Sequence, residues 1–264
     1  MAKVGFIGCG NMGGALARAA ARSGSEIFLA DFDKQKADAL AKEIGARCAD
    51  NQTVAAECDY IFLGVKPQVM ADMLSSVSKT LAERKSRFVL VSMAAGVACS
   101  KLAGLTGGDY PIIRIMPNTP VAVGSGMVLY TLHNVTDSEE GTFLSILEFA
   151  GRLDKLPEKL IDAASAVSGC GPAFVCQFLE AMADGGVACG LTRDRALLYA
   201  AATLEGTARL LLESGNHPAA LKDAVCSPGG STIAGVRRLE KGAVRAAVID
   251  AVIDSYEKTK ELGK

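Results

Sequence analysis

Residues able to do chemistry gather at a few places in this sequence. The first is Gly8-Cys9-Gly10-Asn11-Met12-Gly13, a G-x-G-x-x-G pattern directly behind the apolar run Val4 to Ile7 and ahead of a helical run. In that position Gly8 permits a tight turn, Gly10 lets backbone N–H groups approach a pyrophosphate, and Gly13 allows strand and helix to pack closely. Asn11 and Met12 open the helix, whose free N–H groups and positive dipole end face the phosphates. The chemistry is dinucleotide binding; an ordinary glycine-rich turn would not need the strand before it and the helix after it. The second place is Asp31, at the end of the next apolar run, where a carboxylate hydrogen-bonds an adenosine ribose 2′-hydroxyl. That favours NADH, because a 2′-phosphate would be repelled, although Lys34 and Lys36 lie close in sequence. The competing reading, to which the ribose contact is preferred, is that Asp31 merely caps the helix that starts near Lys34.

Further along, Val65-Lys66-Pro67 and Ala94-Ala95-Gly96 follow two more apolar runs. They therefore fall at the carboxyl edge of a sheet, where open α/β folds bind ligands, and both loops are expected to line a cofactor cleft. Lys66 also fits a solvated surface lysine. Asn118, in the turn after Ile112 to Met116, is placed to hydrogen-bond a nicotinamide carboxamide or a substrate, or to satisfy its own turn. Ser227-Pro228-Gly229-Gly230-Ser231-Thr232 has the composition of a turn feeding a helix N-terminus, where free N–H groups and the dipole hold a carboxylate. Gly230, Ser231 and Thr232 are the candidate anion contacts; the competing reading is that Ser231 or Thr232 simply caps the helix. The glycines of Ser168 to Ala173 suit either close approach to a ligand or a tight helix entry. Cys170 has no neighbouring base and reads as inert packing. His133 and His217 sit in no catalytic pattern, so no acid–base dyad is expected.

Short apolar runs alternate with helical patterns through the first half. Val4 to Ile7, Ile27 to Ala30, Tyr60 to Val65, Phe88 to Ser92 and Ile112 to Met116 predict strands, with helices over Lys34 to Ile44 and Val69 to Leu81 between them. Met127 to Tyr130 predicts another strand, Thr136 to Glu139 a capping box opening a helix through Phe149, and Leu153 a last short strand. The fold class is α/β: an N-terminal Rossmann-type, doubly wound, mostly parallel sheet followed by an all-helical domain that completes the active site. The boundary falls between Arg152 and Lys159, giving domains 1–155 and 156–264. Helices are expected over Ala173 to Ala188, Arg193 to Ser214, Pro218 to Val225, Thr232 to Glu240 and Ala243 to Glu261. Their apolar residues exceed one stripe, which predicts a homodimer or larger through this domain.

The bulk properties narrow the function classes. With 28 basic and 29 acidic residues and no basic run, nucleic acid is not the expected partner; a small molecule is. Eight cysteines without metal-ligand spacing predict free thiols in a reducing cytoplasm and no metal site. Glycines interrupt the apolar start at Met1 to Ala17 and no clear cleavage site follows, so a buried strand and glycine turn is expected there rather than a secretory signal. The uncharged stretches 163 to 179 and 115 to 136 are broken by Gly-Cys-Gly-Pro and by Pro117 and Pro120, so no membrane span is expected.

Six ordered motifs resemble those of the pyrroline-5-carboxylate reductase family over almost the whole length. They are Gly5 to Gly13, Val65-Lys66-Pro67, Ala94-Ala95-Gly96-Val97, Arg114 to Pro120, Ser168-Gly169-Cys170-Gly171-Pro172-Ala173, and Leu221-Lys222-Asp223 with Ser227 to Thr232. The resemblance implies reduction of 1-pyrroline-5-carboxylate to proline with NADPH or NADH, and a helical dimerisation domain that often assembles further into rings of dimers. It also implies carboxylate binding by Gly230, Ser231 and Thr232, with the Thr232 hydroxyl as the catalytic donor or relay at the ring nitrogen. Three residues depart from the family pattern: Cys170 and Phe174 replace its common Ser and Tyr, and Asp31 puts its usual NADPH preference in question. A dehydrogenase of small β-hydroxy acids is less compatible, because the stretch Gly171 to Ala188 lacks the Asn and Lys of its catalytic helix.

Overall fold

Strands buried on both faces must be covered on both faces, and the apolar runs of the first half are of that kind. In the computed structural model, which describes residues 1–262, they build one eight-stranded sheet. In chain order the elements are β1 (Lys3–Ile7), α1 (Asn11–Arg22), β2 (Glu26–Ala30), α2 (Lys34–Ile44), β3 (Arg47–Cys48), α3 (Asn51–Glu57), β4 (Tyr60–Leu63) and α4 (Pro67–Glu83). There follow β5 (Val89–Ser92), α5 (Cys99–Thr106), β6 (Ile112–Pro117), β7 (Gly126–His133), α6 (Asp137–Ile146) and β8 (Gly151–Lys155). The remaining helices are α7 (Glu158–Ser168), α8 (Gly171–Ala188), α9 (Arg193–Ser214), α10 (Pro218–Ala224), α11 (Ser231–Lys241) and α12 (Val244–Leu262).

The strand order is β3-β2-β1-β4-β5-β6-β7-β8, parallel throughout except at the β6–β7 pair. The connection therefore reverses direction between β1 and β4, and the crevice outside the carboxyl ends of these two strands is where such sheets take a ligand. Helices cover both faces. On one, Phe6 stacks on Phe62 with ring centroids 4.5 Å apart; on the other, Val54 and Cys58 of the α3 region pack so close to Gly5 that a Cβ there would lie 2.4 Å from Val54 Cγ1. The expected capping box is present, with the Glu139 N–H donating to Thr136 Oγ1 and the Thr136 N–H to the Glu139 carboxylate. Its helix stops at Ile146 rather than Phe149, because a single turn of 3-10 helix over Glu148–Ala150 redirects the chain into β8.

The chain forms two compact units: Met1–Cys170 with the segment from Ser255, and Gly171–Asp254. The first unit thus runs past the expected boundary at 155 to include α7. Ile161 of α7 packs on Met116 and Leu129 of the sheet, and the buried guanidinium of Arg114 on β6 donates to Glu158 at 3.4 Å and to Asp162 at 2.6 Å on α7. In the second unit α8 and α9 pack against each other, and Gly186 lets them close, a Cβ there lying 3.1 Å from Ala196 Cβ. Across 171–254 only Ala183, Ala196 and Ala200 are fully buried. Leu198, Leu212 and Val225 are each at least 60 % exposed. The stretch Glu158–Ala188 has the length and apolarity of a membrane span, but the Gly169–Cys170 turn parts it into α7 and α8.

Candidate active site

At the end of β1 the backbone turns on Gly8, whose φ of 101° is left-handed territory that a side chain would strain. Its N–H donates to Ala30 O at 2.7 Å, tying the turn to β2. A Cβ on Gly13 would lie 2.1 Å from Gly8 O, so α1 can reach the strand only with glycine there. At Gly10 the situation is opposite: a Cβ would meet nothing within 4 Å. Gly10 is the N-cap of the 12-residue α1 and supplies no side-chain cap. The first turn of α1, with Asn11 and Met12, therefore offers unpaired N–H groups to open space, the arrangement that holds an anionic pyrophosphate. A nicotinamide dinucleotide fits this cradle.

A groove of about 1370 Å³ runs from the turn along the carboxyl ends of β2 and β4. Gly8, Gly10, Asp31, Val65 and Lys66 line it, as expected from the sequence. Gly13 instead lies behind Gly8, Pro67 is the first residue of α4, Ala94 is buried, and Ala95 and Gly96 stand in the loop after β5, all outside the groove walls. The structure adds Phe32, Cys48, Asp50, Asn51 and Gln52. Only Phe32 had a signal in the sequence, its place beside Asp31; Cys48 sits on β3, and Asn51 and Gln52 on α3 behind its cap Asp50, elements too short for periodicity to mark.

Asp31 is fixed at both oxygens, accepting from the Cys9 N–H at 2.6 Å and the Asp33 N–H at 2.9 Å. It does not cap α2; Asp33 does, accepting from the N–H groups of Gln35 and Lys36. The Cys9 thiol is pushed up to about 12, chiefly by burial and then by Asp31, so it is a neutral wall of the turn. Lys66 is the exposed N-cap residue of α4.

Asn118 is not spent on its own turn, and its two bonds leave one Nδ2 N–H and one Oδ1 lone pair for a ligand. Its Nδ2 donates to Ser168 O at 2.9 Å and its Oδ1 accepts from the Met127 N–H at 2.8 Å, bracing β6 to β7 and α7. Beside it, Glu158 Oε1 accepts from the Cys99 N–H at 2.7 Å as well as from Arg114, which fixes the chain just beyond Ala94-Ala95-Gly96. Sequence reasoning singled out Arg114 only as part of a motif; its burial at 2 % exposure gives it a structural task.

In the second unit, Gly230 is the N-cap of the 11-residue α11 and no side chain caps the helix. Ser231 and Thr232 are thus its first two residues, not its cap, and neither hydroxyl bonds within the described residues. A Cβ at Gly230 would lie 2.4 Å from Ser227 Oγ, so Ser227 packs directly against the helix start. The result is a helix start with free N–H groups and two free hydroxyls, able to bind a carboxylate. Cys170 is half-buried in the turn that follows α7, its N–H donating to Ser165 O. His133 pairs with Asp109 at 3.0 Å and His217 caps α10 through Nδ1, which gives both histidines structural roles.

Comparison with known proteins agrees with this geometry. Residues 158–262 match the family described as pyrroline-5-carboxylate reductase dimerisation, and residues 3–96 match NADP oxidoreductase, coenzyme F420-dependent. Pyrroline-5-carboxylate reductase of Escherichia coli is 42 % identical over 99 % of this chain and 98 % of its own length. That of Arabidopsis thaliana is 38 % identical over 99 % and 96 %. The crystal structure of a Plasmodium falciparum pyrroline carboxylate reductase with NADP bound superimposes with a TM-score of 0.89 at 32 % identity, covering 100 % of this chain and 98 % of that one. With the dinucleotide turn built, the helical region apolar on its outside and the likeness unbroken from end to end, the chain belongs to the pyrroline-5-carboxylate reductase family of NAD(P)H-dependent oxidoreductases.

Proposed function

We propose that the protein reduces 1-pyrroline-5-carboxylate to L-proline, the last step of proline biosynthesis, as a cytoplasmic homo-oligomer with no nucleic-acid or membrane partner. The full-length likeness to enzymes of that name carries the reading. The substrate is a cyclic imine bearing a carboxylate, and protonation of its nitrogen makes the C=N carbon strongly electrophilic. NAD(P)H, when bound, supplies the hydride for that carbon. The protein's part is orientation and electrostatics, which suits a chain whose histidines are both committed to structure.

The residues divide this work. N–H groups of the Gly10-Asn11-Met12 turn hold the pyrophosphate, and Gly8 and Gly13 shape the turn around it. Val65-Lys66-Pro67 and Ala94-Ala95-Gly96 carry the chain past the cofactor, while Asn118, braced by Ser168 and Met127, keeps an N–H and a lone pair for the nicotinamide carboxamide or the substrate. The Gly230, Ser231 and Thr232 N–H groups at the α11 start bind the substrate carboxylate. The Thr232 hydroxyl, free of internal partners, donates to the ring nitrogen and relays its proton. The apolar residues outside α8 to α12 pair two copies, and pairs assemble into a ring.

The test is the initial rate of NADH and NADPH oxidation with 1-pyrroline-5-carboxylate, with proline assayed as product; no proline with either cofactor rejects the reading. Thr232→Ala is expected to lower kcat/KM by at least about tenfold, or about 1.4 kcal/mol of transition-state stabilisation. An unchanged value removes Thr232 from the mechanism.

A further inference from the structure

Resting on the reading of the groove as the dinucleotide site, we infer that this chain selects NADH, with its free ribose 2′-hydroxyl, over the 2′-phosphorylated cofactor, and that Asp31 is the selecting residue. Sequence alone left Asp31 two roles, cap or ribose ligand, and the structure gives the cap to Asp33. Asp31 lines the groove at the end of β2 with its carboxylate held by the Cys9 and Asp33 N–H groups. Each carboxylate oxygen has two lone pairs, so each keeps one for a hydroxyl donor. Held at both oxygens, the group cannot turn away from an incoming anion. A 2′-phosphate, carrying about −1.5 to −2 charge at neutral pH and no donor to share, would be set against it.

The surroundings reinforce the sign. Asp38 and Asp50 share this stretch of groove wall with Lys34, while Lys36 stands near Cys9 without lining the groove. Lys66, two residues beyond the Gly64 that abuts Gly8, lines the groove on the side of the glycine turn. No arginine among the described residues lines the groove, and arginine is the side chain whose planar fork reads phosphate in two parallel bonds. Next to Asp31, Phe32 stands fully exposed at the groove, 105 % accessible, a ring with no packing partner of its own. It suits stacking on a purine, which both cofactors carry. Affinity and selectivity thus fall to adjacent residues: Phe32 for the base and Asp31 for the ribose.

Calorimetric titration reads this without turnover, using ADP-ribose and its 2′-phosphate, and then NADH and NADPH, at constant ionic strength. The wild-type protein is expected to bind the 2′-hydroxyl member of each pair at least about tenfold more tightly. Asp31→Ser is expected to bring the two within about threefold or to reverse their order, and Phe32→Ala to weaken both by a similar factor with their ratio kept. Equal or tighter wild-type binding of the 2′-phosphate overturns the inference, and this arm stands even if Asp31→Ser fails to fold. An unchanged ratio in a folded Asp31→Ser removes Asp31 as the selector. Absence of binding by either fragment rejects the dinucleotide reading itself, whereas preference for the 2′-phosphate rejects only this inference.

Discussion

The two compact units of the chain solve the burial of apolar surface differently. In the first, Phe6, Phe28 and Phe62 are wholly enclosed by the sheet and its helices, and even the buried Arg114 has carboxylate partners. In the second, three alanines are the only fully buried residues of 171–254, while Leu198, Leu212 and Ile249 are more than half exposed. A unit that closes its own core can present its polar groups to a ligand. One that leaves leucines and isoleucines in water carries a surface for association, which agrees with its match to a dimerisation family.

Charge placed on the exposed apolar surface should break the contrast most severely. Leu198→Glu combined with Leu212→Glu is expected to raise the dissociation constant of the oligomer by about a thousandfold or more, since it buries unpaired carboxylates. Sedimentation across a dilution series measures this, with Phe32→Glu, a still more exposed site in the first unit, as the control expected to keep the assembly. An oligomer that survives the double substitution at nanomolar concentration would place the interface elsewhere. In the self-contained unit the damage should appear as stability instead. Phe62→Ala removes the ring stacked on Phe6 and is expected to cost about 3–5 kcal/mol in urea unfolding. Asp162→Ala takes from the buried Arg114 its shorter partner and is expected to cost about 1–3 kcal/mol. A loss under a few tenths would mean that Glu158 alone satisfies the guanidinium. Thr136→Ala, which deletes one side of a surface capping box, is the mildest at about 1 kcal/mol.

Legibility in the sequence followed the length of the signal. Lys34–Ile44 and Arg193–Ser214 were readable to the residue because several helical turns repeat one pattern and both end at a left-handed glycine, Gly45 and Gly215. The two-residue β3 and seven-residue α3 were not, since neither is long enough to show a period. Yet Cys48, Asn51 and Gln52, on these elements, form much of the far wall of the groove. The expected boundary near 155 lies beside the start of the dimerisation-family match at 158, but that α7 also packs on the sheet was not legible, because its ion pairs to Arg114 span 44 and 48 positions of chain and no local pattern carries that information.

By itself the sequence determined the alternating α/β half, the helical half and the glycine turn, because these rest on local periodicity and on backbone angles or contacts that only glycine permits. The likeness of its six motifs to a known family also determined which chemistry to look for. Only the tertiary structure decided what the polar groups do. It turned Asn118 into a brace, gave the cap of α2 to Asp33 and so left Asp31 facing the groove, and moved the cap of α11 to Gly230, freeing Ser231 and Thr232. A residue's type states which hydrogen bonds it can make. Which of them it does make depends on partners brought near by the fold, often from distant positions in the chain.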